Sequence, residues 1–382
     1  MRKLKLMTIV GTRPEIIKLS EVIKKADIFF EHILVHTGQN YAYTLNEIFF
    51  ADLDLREPDY YLGVVGDNLG ETMGNIINRS YNIIRDVKPD AVLILGDTNS
   101  ALSAISAKRL KIPTFHMEAG NRCFDENLPE EINRRIVDHI SDVNLPYTEH
   151  ARRYLFDEGV KKEHIFVTGS PMAEVLNVNR EKIEKSSVLN HLKLRKKEYI
   201  LLSAHREENI DIDSNFLELM NAINEMAEKY QCPVIYSLHP RSKKFIENRS
   251  FKLHKLVRTL EPFGFTDYIT LQMNALCVVS DSGTLAEESS ILRFPAVSIR
   301  TSTERPEAID KGGFIIGSTS SHSLLQSIDL SISMSEKYRM SNSVNDYSDI
   351  NVSIKIIKII QSYVDIVNRK VWNKFNVVES TC

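Results

Sequence analysis

The chain has 382 residues, 43% of them hydrophobic and 26% charged, enough for two domains that each bury a core of their own. A formal net charge of -3 excludes a general electrostatic draw toward nucleic acid or an anionic membrane, so any bound anion must be held by a local site. The four cysteines, Cys123, Cys232, Cys277 and Cys382, lie far apart without a Cys-x-x-Cys pair, which argues against a disulfide framework or structural zinc and fits a reducing compartment.

The opening segment MRKLKLMTIVGTRPE carries an apolar stretch too short for a secretory leader and is expected to form a first buried strand. No apolar run reaches membrane-spanning length, and the expected location is the cytoplasm, with no membrane partner. In chain order LKLMTIV, HILVHTG, DAVLILGD, IPTFHME, DVNLPYT and HIFVTGS read as strands, with helix-like sequence between most of them. After the polar stretch NREKIEKSSVLNHLKLRKKE the rhythm restarts as YILLSAH, CPVIYSLHP, LCVVSDSG and FPAVSIR. Such alternation implies βαβ units and parallel sheets covered on both faces. The expected fold is therefore α/β, with two Rossmann-like doubly wound domains, residues 1–172 and 173–382, facing a central cleft. A final helix near residues 350–370 is expected, with docking on the first domain as one option. Ligands of open α/β sheets bind beyond the carboxyl ends of the strands, which directs attention to the strand ends.

In GTRPEIIK, Thr12 and Glu15 fit a capping box and Pro14 suits a first helical turn. Capping leaves Arg13 and Lys18 unexplained, because cations there oppose the helix dipole; beside an anionic ligand they make sense. In SDSGTLAEE a strand runs into Gly283 and then a helix, so the amides of Ser282, Gly283 and Thr284 can cradle a phosphate. The plainer reading is again a capping box, Thr284 with Glu287, which leaves Glu288 for a partner such as a ribose diol.

The segment HMEAGNRCFDENLPEEINRR also has two readings. As a salt-bridged surface helix it pairs Glu130 with Arg134 and Glu131 with Arg135 and buries Ile132, Ile136 and Ile140. As an acid/base site it gathers Glu118 and Asp97, which close the neighbouring strand patterns IPTFHME and AVLILGD, with Glu130 at a helix N-terminus. Such a cluster of like charges is costly unless function uses it. His205, closing YILLSAH, is the candidate from the second half. Asp52 with Asp54, and Asp211 with Asp213, match Asp-x-Asp, but no metal-ligand spacing is recognised and no metal is expected. The lack of Gly-x-Gly-x-x-Gly after the first strand counts against a nicotinamide cofactor.

Taken together and in order, GTRPEIIK, HTGQN, GDTNS, HMEAG, PEEINRR, SAHREEN, LHP, SDSGTLAEE and ERPEA resemble the non-hydrolysing UDP-N-acetylglucosamine 2-epimerases of bacteria, from residue 4 to about 310. The resemblance implies a GT-B-like fold, a UDP-sugar substrate, a homodimer, and neither redox cofactor nor metal. It implies elimination of UDP to a 2-acetamidoglycal and re-addition with protonation on the other face. By position, Asp97, Glu118 and Glu130 resemble the acid/base carboxylates, and His205 the residue assisting the leaving phosphate. Arg13, Lys18 and Arg134 resemble the basic groups around substrate, Ser282, Gly283 and Thr284 the phosphate loop, Glu288 the ribose ligand, and Tyr268 the aromatic residue by the uracil. GDTNS, TGQN, Gly283-Thr284 and the loop AGNRCFDENLP depart from the parent enzyme and resemble the subgroup that turns UDP-2-acetamido-2,6-dideoxy-L-talose into UDP-N-acetyl-L-fucosamine for capsule and O-antigen. Asn40 counts against the allosteric site some members build nearby. The alternatives are the UDP-N-acetylglucosamine 2-epimerase itself, a hydrolysing epimerase, a GT-B glycosyltransferase, and a non-enzymatic UDP-sugar sensor.

Overall fold

The computed structural model describes residues 2–38, 47–337 and 344–374; Asn40 and Cys382 lie outside the described residues. The chain divides into one unit of residues 1–42, 54–175 and 349–382 and a second of residues 43–53 and 176–348. The first sheet contains β1 (Lys5–Val10), β2 (Glu31–His36), β3 (Tyr60–Tyr61), β4 (Ala91–Leu95), β5 (Thr114–Met117) and β6 (Val143–Leu145), in the order β3-β2-β1-β4-β5-β6. All its neighbours run parallel, with Thr8 opposite Leu34 on one side and Leu93 on the other. Because helices cover both faces, β4 is buried along its whole length and reads AVLIL without alternation.

The second sheet contains β7 (Ile200–Ser203), β8 (Val234–Ser237), β9 (Val257–Leu260), β10 (Cys277–Ser280), β11 (Ala296–Ile299) and β12 (Ile315–Gly317), in the order β12-β11-β10-β7-β8-β9. It too is parallel. Successive side chains go to opposite faces. Ile200 and Leu202 pack with Phe216, Leu219 and Ile223 of the helix Asp213–Tyr230, while Leu201 packs with Leu271 and Phe294. Counted within its own unit, each sheet has the doubly wound order 3-2-1-4-5-6. The order reverses between β1 and β4 in one unit and between β7 and β10 in the other, the places where such sheets open a crevice for ligands.

Four segments differ from expectation. HIFVTGS forms no strand and contributes one isolated bridge, Ile165 to Asn144. β3 and β9 went unforeseen because they are edge strands with exposed residues, Tyr60-Tyr61 and the central pair of VRTL, and so lack the apolar run of a buried strand. β12 is a third edge element, of three residues.

The last helix spans Val352–Lys370 and packs on the helix Arg13–Phe29 of the first unit. It buries Ile356, Ile360, Val364 and Val367, spaced at helical period. Glu174 accepts from the Ser353 amide at 2.8 Å and from its hydroxyl at 2.6 Å, which satisfies donors of the first turn. Among the described residues no helix is long and apolar enough to cross a membrane.

Candidate active site

In the first unit the candidate residues collect at the ends of β1, β4 and β5. β1 passes through Gly11 and Thr12 into the helix Arg13–Phe29, but the expected capping box is not formed. The Thr12 hydroxyl makes no cap bond to a helix amide; it donates to Glu15 Oε2 at 2.7 Å, and the Gly11 amide reaches the same oxygen at 3.1 Å. The Ser100 hydroxyl, beyond β4, donates to Glu15 Oε1. Glu15 is thus a buried link between two strand-end turns. Burial pushes its carboxyl up to about 7, against the hydrogen bonds from Ser100, Thr12 and Gly11.

Lys18, one turn into the same helix, is buried and stands 2.8 Å from Glu118 Oε2. Glu118 follows β5 with φ +64°, a left-handed conformation uncommon for a residue with a side chain. Its amide donates to Leu145 O at 3.2 Å, which holds the residue beside the end of β6. Gly96, at φ +71°, turns the chain after β4; a Cβ there would lie 4.0 Å from Glu118 Oε2. The two turns are tied from beneath. His116 Nε2 lies 2.8 Å from Gly96 O, and Nδ1 faces Asp138 at 2.9 Å. Asp138 also meets Arg122 at 2.7 Å and accepts the Gly120 amide at 3.1 Å. Burial alone would raise the Asp138 carboxyl, but His116 and Arg122 hold it below the ordinary range. At Gly120, with φ +79°, a Cβ would stand 2.3 Å from the Ala151 carbonyl oxygen, so the turn after Glu118 requires glycine.

Asp97, just after Gly96, meets Arg134: Nε and Nη2 lie 3.0 and 2.5 Å from Oδ2. Asn133 donates to Asp97 O and to Asn99 Oδ1, both at 3.0 Å. The helix Pro129–Ile140 therefore buries a polar face, Glu131, Asn133, Arg134 and Asp138, with Val137. The expected isoleucine stripe is overturned at two of its three positions, since Ile132 is 51% and Ile136 39% exposed, while Ile140 packs half-buried against the core. Partners from other elements select the polar face: Arg134 reaches Asp97, Asp138 reaches His116, and Glu131 takes the Cys123 amide at 3.1 Å. The Glu131 and Arg135 pair forms at 3.3 Å, and Arg134 pairs with Asp97 and with Glu131. Arg13 and Glu130 stand half-buried in the first turns of their helices.

In the second unit the residues collect at β7 and β10. Asp281, fully buried after β10, is a functional candidate that sequence reasoning passed over although it stands in SDSG. Its Oδ2 accepts the amides of His205 and Arg206 at 2.8 and 2.9 Å and Asn209 Nδ2 at 3.2 Å. Its Oδ1 lies 3.1 Å from His205 Nδ1. Burial would raise the Asp281 carboxyl; the His205 ring and these donors hold it far below the ordinary range. The His205 ring is thereby set against a buried carboxylate.

Ser282, Gly283 and Thr284 form the turn into the helix Leu285–Leu292. A Cβ on Gly283 would lie 2.4 Å from Glu304 Oε1, and Glu304 is buried and paired with Arg300 at 2.6 Å. The expected Thr284 and Glu287 capping box is absent, because Glu287 is fully buried and meets Arg305 at 2.7 and 3.1 Å. Thr284 Oγ1 instead lies 3.0 Å from Ser282 Oγ. Glu288 Oε2 accepts from Gln272 Nε2 at 2.6 Å. Tyr268 and Gln272 are four residues apart on the helix Phe265–Asn274 and so share a face. Among the described residues no group of three His, Cys, Asp or Glu is placed to hold a metal ion.

The second unit thus offers an amide turn and an oriented imidazole suited to an anionic leaving group. The first offers carboxylates at neighbouring strand ends, Asp97 beside Arg134 and Glu118 beside Lys18, suited to proton transfer. A model of the family described as UDP-N-acetylglucosamine 2-epimerase matches residues 23–361. The chain belongs to the UDP-N-acetylglucosamine 2-epimerase family. It is similar to the UDP-N-acetylglucosamine 2-epimerase structure from Rickettsia bellii, with 48% identity and a TM-score of 0.88 over 98% of this chain and 100% of that one. It is also similar to the Methanocaldococcus jannaschii UDP-GlcNAc 2-epimerase, solved in complex with UDP-GlcNAc and UDP, with 33% identity and a TM-score of 0.88 over 94% of this chain and 100% of that one. The UDP-2,3-diacetamido-2,3-dideoxy-D-glucuronate 2-epimerase of Pseudomonas aeruginosa is 33% identical over 324 residues, 82% of this chain and 88% of its own length. Like the other members of this 2-epimerase family the chain is an isomerase, and its two parallel sheets give it the family's GT-B-like fold.

Proposed function

We propose that the chain interconverts UDP-2-acetamido-2,6-dideoxy-L-talose and UDP-N-acetyl-L-fucosamine by inversion at C2, a step toward capsule or O-antigen polysaccharide. The observation that carries the reaction type is Glu118, held in left-handed backbone against Lys18 at 2.8 Å and set beside the turn that bears Asp97. The C2 proton has no adjacent carbonyl to activate it, so its removal must accompany departure of a stabilised leaving group. Asp97, Glu118 and Glu130 are the acid/base groups, and inversion requires at least two of them. Arg13, Lys18 and Arg134 balance charge around the sugar. His205, oriented by Asp281, assists departure of UDP. Ser282, Gly283 and Thr284 hold the diphosphate, Glu288 the ribose, and Tyr268 the uracil. No metal or redox cofactor enters these steps, and the active form is a cytoplasmic homodimer.

The sugar is assigned from GDTNS and AGNRCFDENLP, the stretches that follow β4 and β5 at the carboxylates themselves. The second reading, UDP-N-acetylglucosamine as substrate, is favoured by the names of the Rickettsia and Methanocaldococcus relatives. The Pseudomonas relative, at comparable identity, is named for a different sugar, so this degree of likeness does not decide the substrate. Incubation with UDP-N-acetyl-L-fucosamine and, separately, UDP-N-acetylglucosamine in deuterium oxide decides it by NMR. Loss of the C2 proton signal from the fucosamine nucleotide alone is the expected result; loss from the glucosamine nucleotide alone would establish the second reading.

A further inference from the structure

We propose that Asn121 is a positioning residue for Glu118, one that keeps its second carboxyl oxygen hydrogen-bonded in both protonation states of the catalytic cycle. The inference rests on the proposed acid/base role of Glu118. Asn121 is buried, and its Nδ2 lies 3.3 Å from Glu118 Oε1 while Lys18 Nζ occupies Oε2 at 2.8 Å. The amide stands where it does because the turn is anchored on every side. Arg122 Nη1 donates to Asn121 O at 2.7 Å and to Asp138 at the same distance. The Gly120 amide is bound to Asp138, and the Glu118 amide to Leu145 O.

The chemistry explains why an amide belongs there. A proton taken from C2 passes to Glu118, the C1–O bond to UDP breaks with its electron pair leaving on the diphosphate oxygen, and C1 and C2 become doubly bonded. The carboxylate has then become a carboxylic acid, whose hydroxyl needs an acceptor. Lysine is a donor only and matches the carboxylate alone. An asparagine side chain carries both functions: NH2 donates to the carboxylate, and after rotation about χ2 the carbonyl oxygen accepts from the acid. Leucine serves neither state, and aspartate cannot donate to a carboxylate. Asn121 lies within AGNRCFDENLP, the loop that sets this chain apart from the parent pattern.

The test compares wild type with Asn121→Leu, the near-isosteric Asn121→Asp, and Asn121→Ser, whose hydroxyl both donates and accepts. Rates of deuterium incorporation at C2, kcat, KM and melting temperature are read for each. The Leu and Asp variants should each lose about tenfold in kcat and in exchange, the worth of one hydrogen bond to a charged group. KM should stay within about twofold of wild type, because the bond serves the proton transfer and not substrate capture. The Ser variant should recover part of the loss. Should the Leu variant fail to fold, the Asp variant carries the comparison. Wild-type kcat in the Leu or Asp variant, or a change confined to KM, would overturn the inference. Failure of wild type itself to exchange the C2 proton of either nucleotide sugar would instead overturn the proposed function.

Discussion

Replacing Lys18 by methionine removes the cation 2.8 Å from Glu118 while keeping most of the side chain's length. The Lys18 side chain is 3% exposed and that of Glu118 9%, so water cannot replace either partner. At an effective dielectric near 20, unit charges at this separation attract by about 6 kcal/mol, much of which is offset by desolvation. Stranding one partner of such a pair typically costs about 3–5 kcal/mol. Lys18→Met should therefore destabilise the first unit by about 3–5 kcal/mol, and Glu118→Gln, which strands the lysine, should also destabilise it. The double variant should be more stable than the sum of the singles implies, with a coupling of about 2 kcal/mol. Urea unfolding followed by the fluorescence of Trp372, the chain's only tryptophan and a residue of the first unit, measures all three. Additivity within about 0.5 kcal/mol would refute the claim that this ion pair is a strong tie.

Glu15, pushed up to about 7, stays protonated in the folded chain at pH values where the unfolded chain has already ionised. Its contribution to stability is complete below about pH 4.5 and is lost as pH rises through about 7, a loss of roughly 3 kcal/mol. Glu15→Gln should flatten this fall in urea titrations across that window, and an unchanged slope would sink the assignment. Gly120 and Gly159 both have positive φ, but a Cβ at Gly159 meets nothing within 4 Å. Gly159→Ala should cost about 1–2 kcal/mol from backbone strain alone, and Gly120→Ala about 1–3 kcal/mol more from the clash with Ala151 O. Equal losses would mean that the turn relaxes. Asp281→Asn should lower kcat by about 10²-fold or more by removing the buried carboxylate that faces the His205 ring, read by steady-state kinetics against an intact fold. A wild-type kcat would return Asp281 to a purely architectural role.

The central strands were legible because β1, β4, β7 and β10 are buried on both faces and leave continuous apolar runs; edge strands such as Tyr60–Tyr61 leave none. The strand-end positions of Asp97, Glu118 and His205 were legible for the same reason. Their partners were not. Lys18 meets a carboxylate 100 positions away, and Arg134 one 37 positions away, beyond the reach of local pairing rules. The helix Pro129–Ile140 misled in the same sense: its isoleucines follow helical spacing, yet its charged face is buried because the counter-charges come from β4, β5 and their turns. Asp281 was hidden by its neighbours, since a carboxylate beside Ser282 and Gly283 reads as part of a phosphate turn until His205 is seen 3.1 Å away.

The most direct measurement follows the bond between sugar and diphosphate. A UDP-N-acetyl-L-fucosamine labelled with oxygen-18 at the bridge between C1 and the β-phosphorus is incubated with the enzyme, and phosphorus NMR tracks the label. Elimination of UDP frees the bridging oxygen to exchange places with the non-bridging oxygens of the β-phosphate before re-addition. Scrambling of the label together with deuterium entry at C2 is the predicted result. Inversion at C2 with the label still in the bridge would contradict a reaction through UDP elimination.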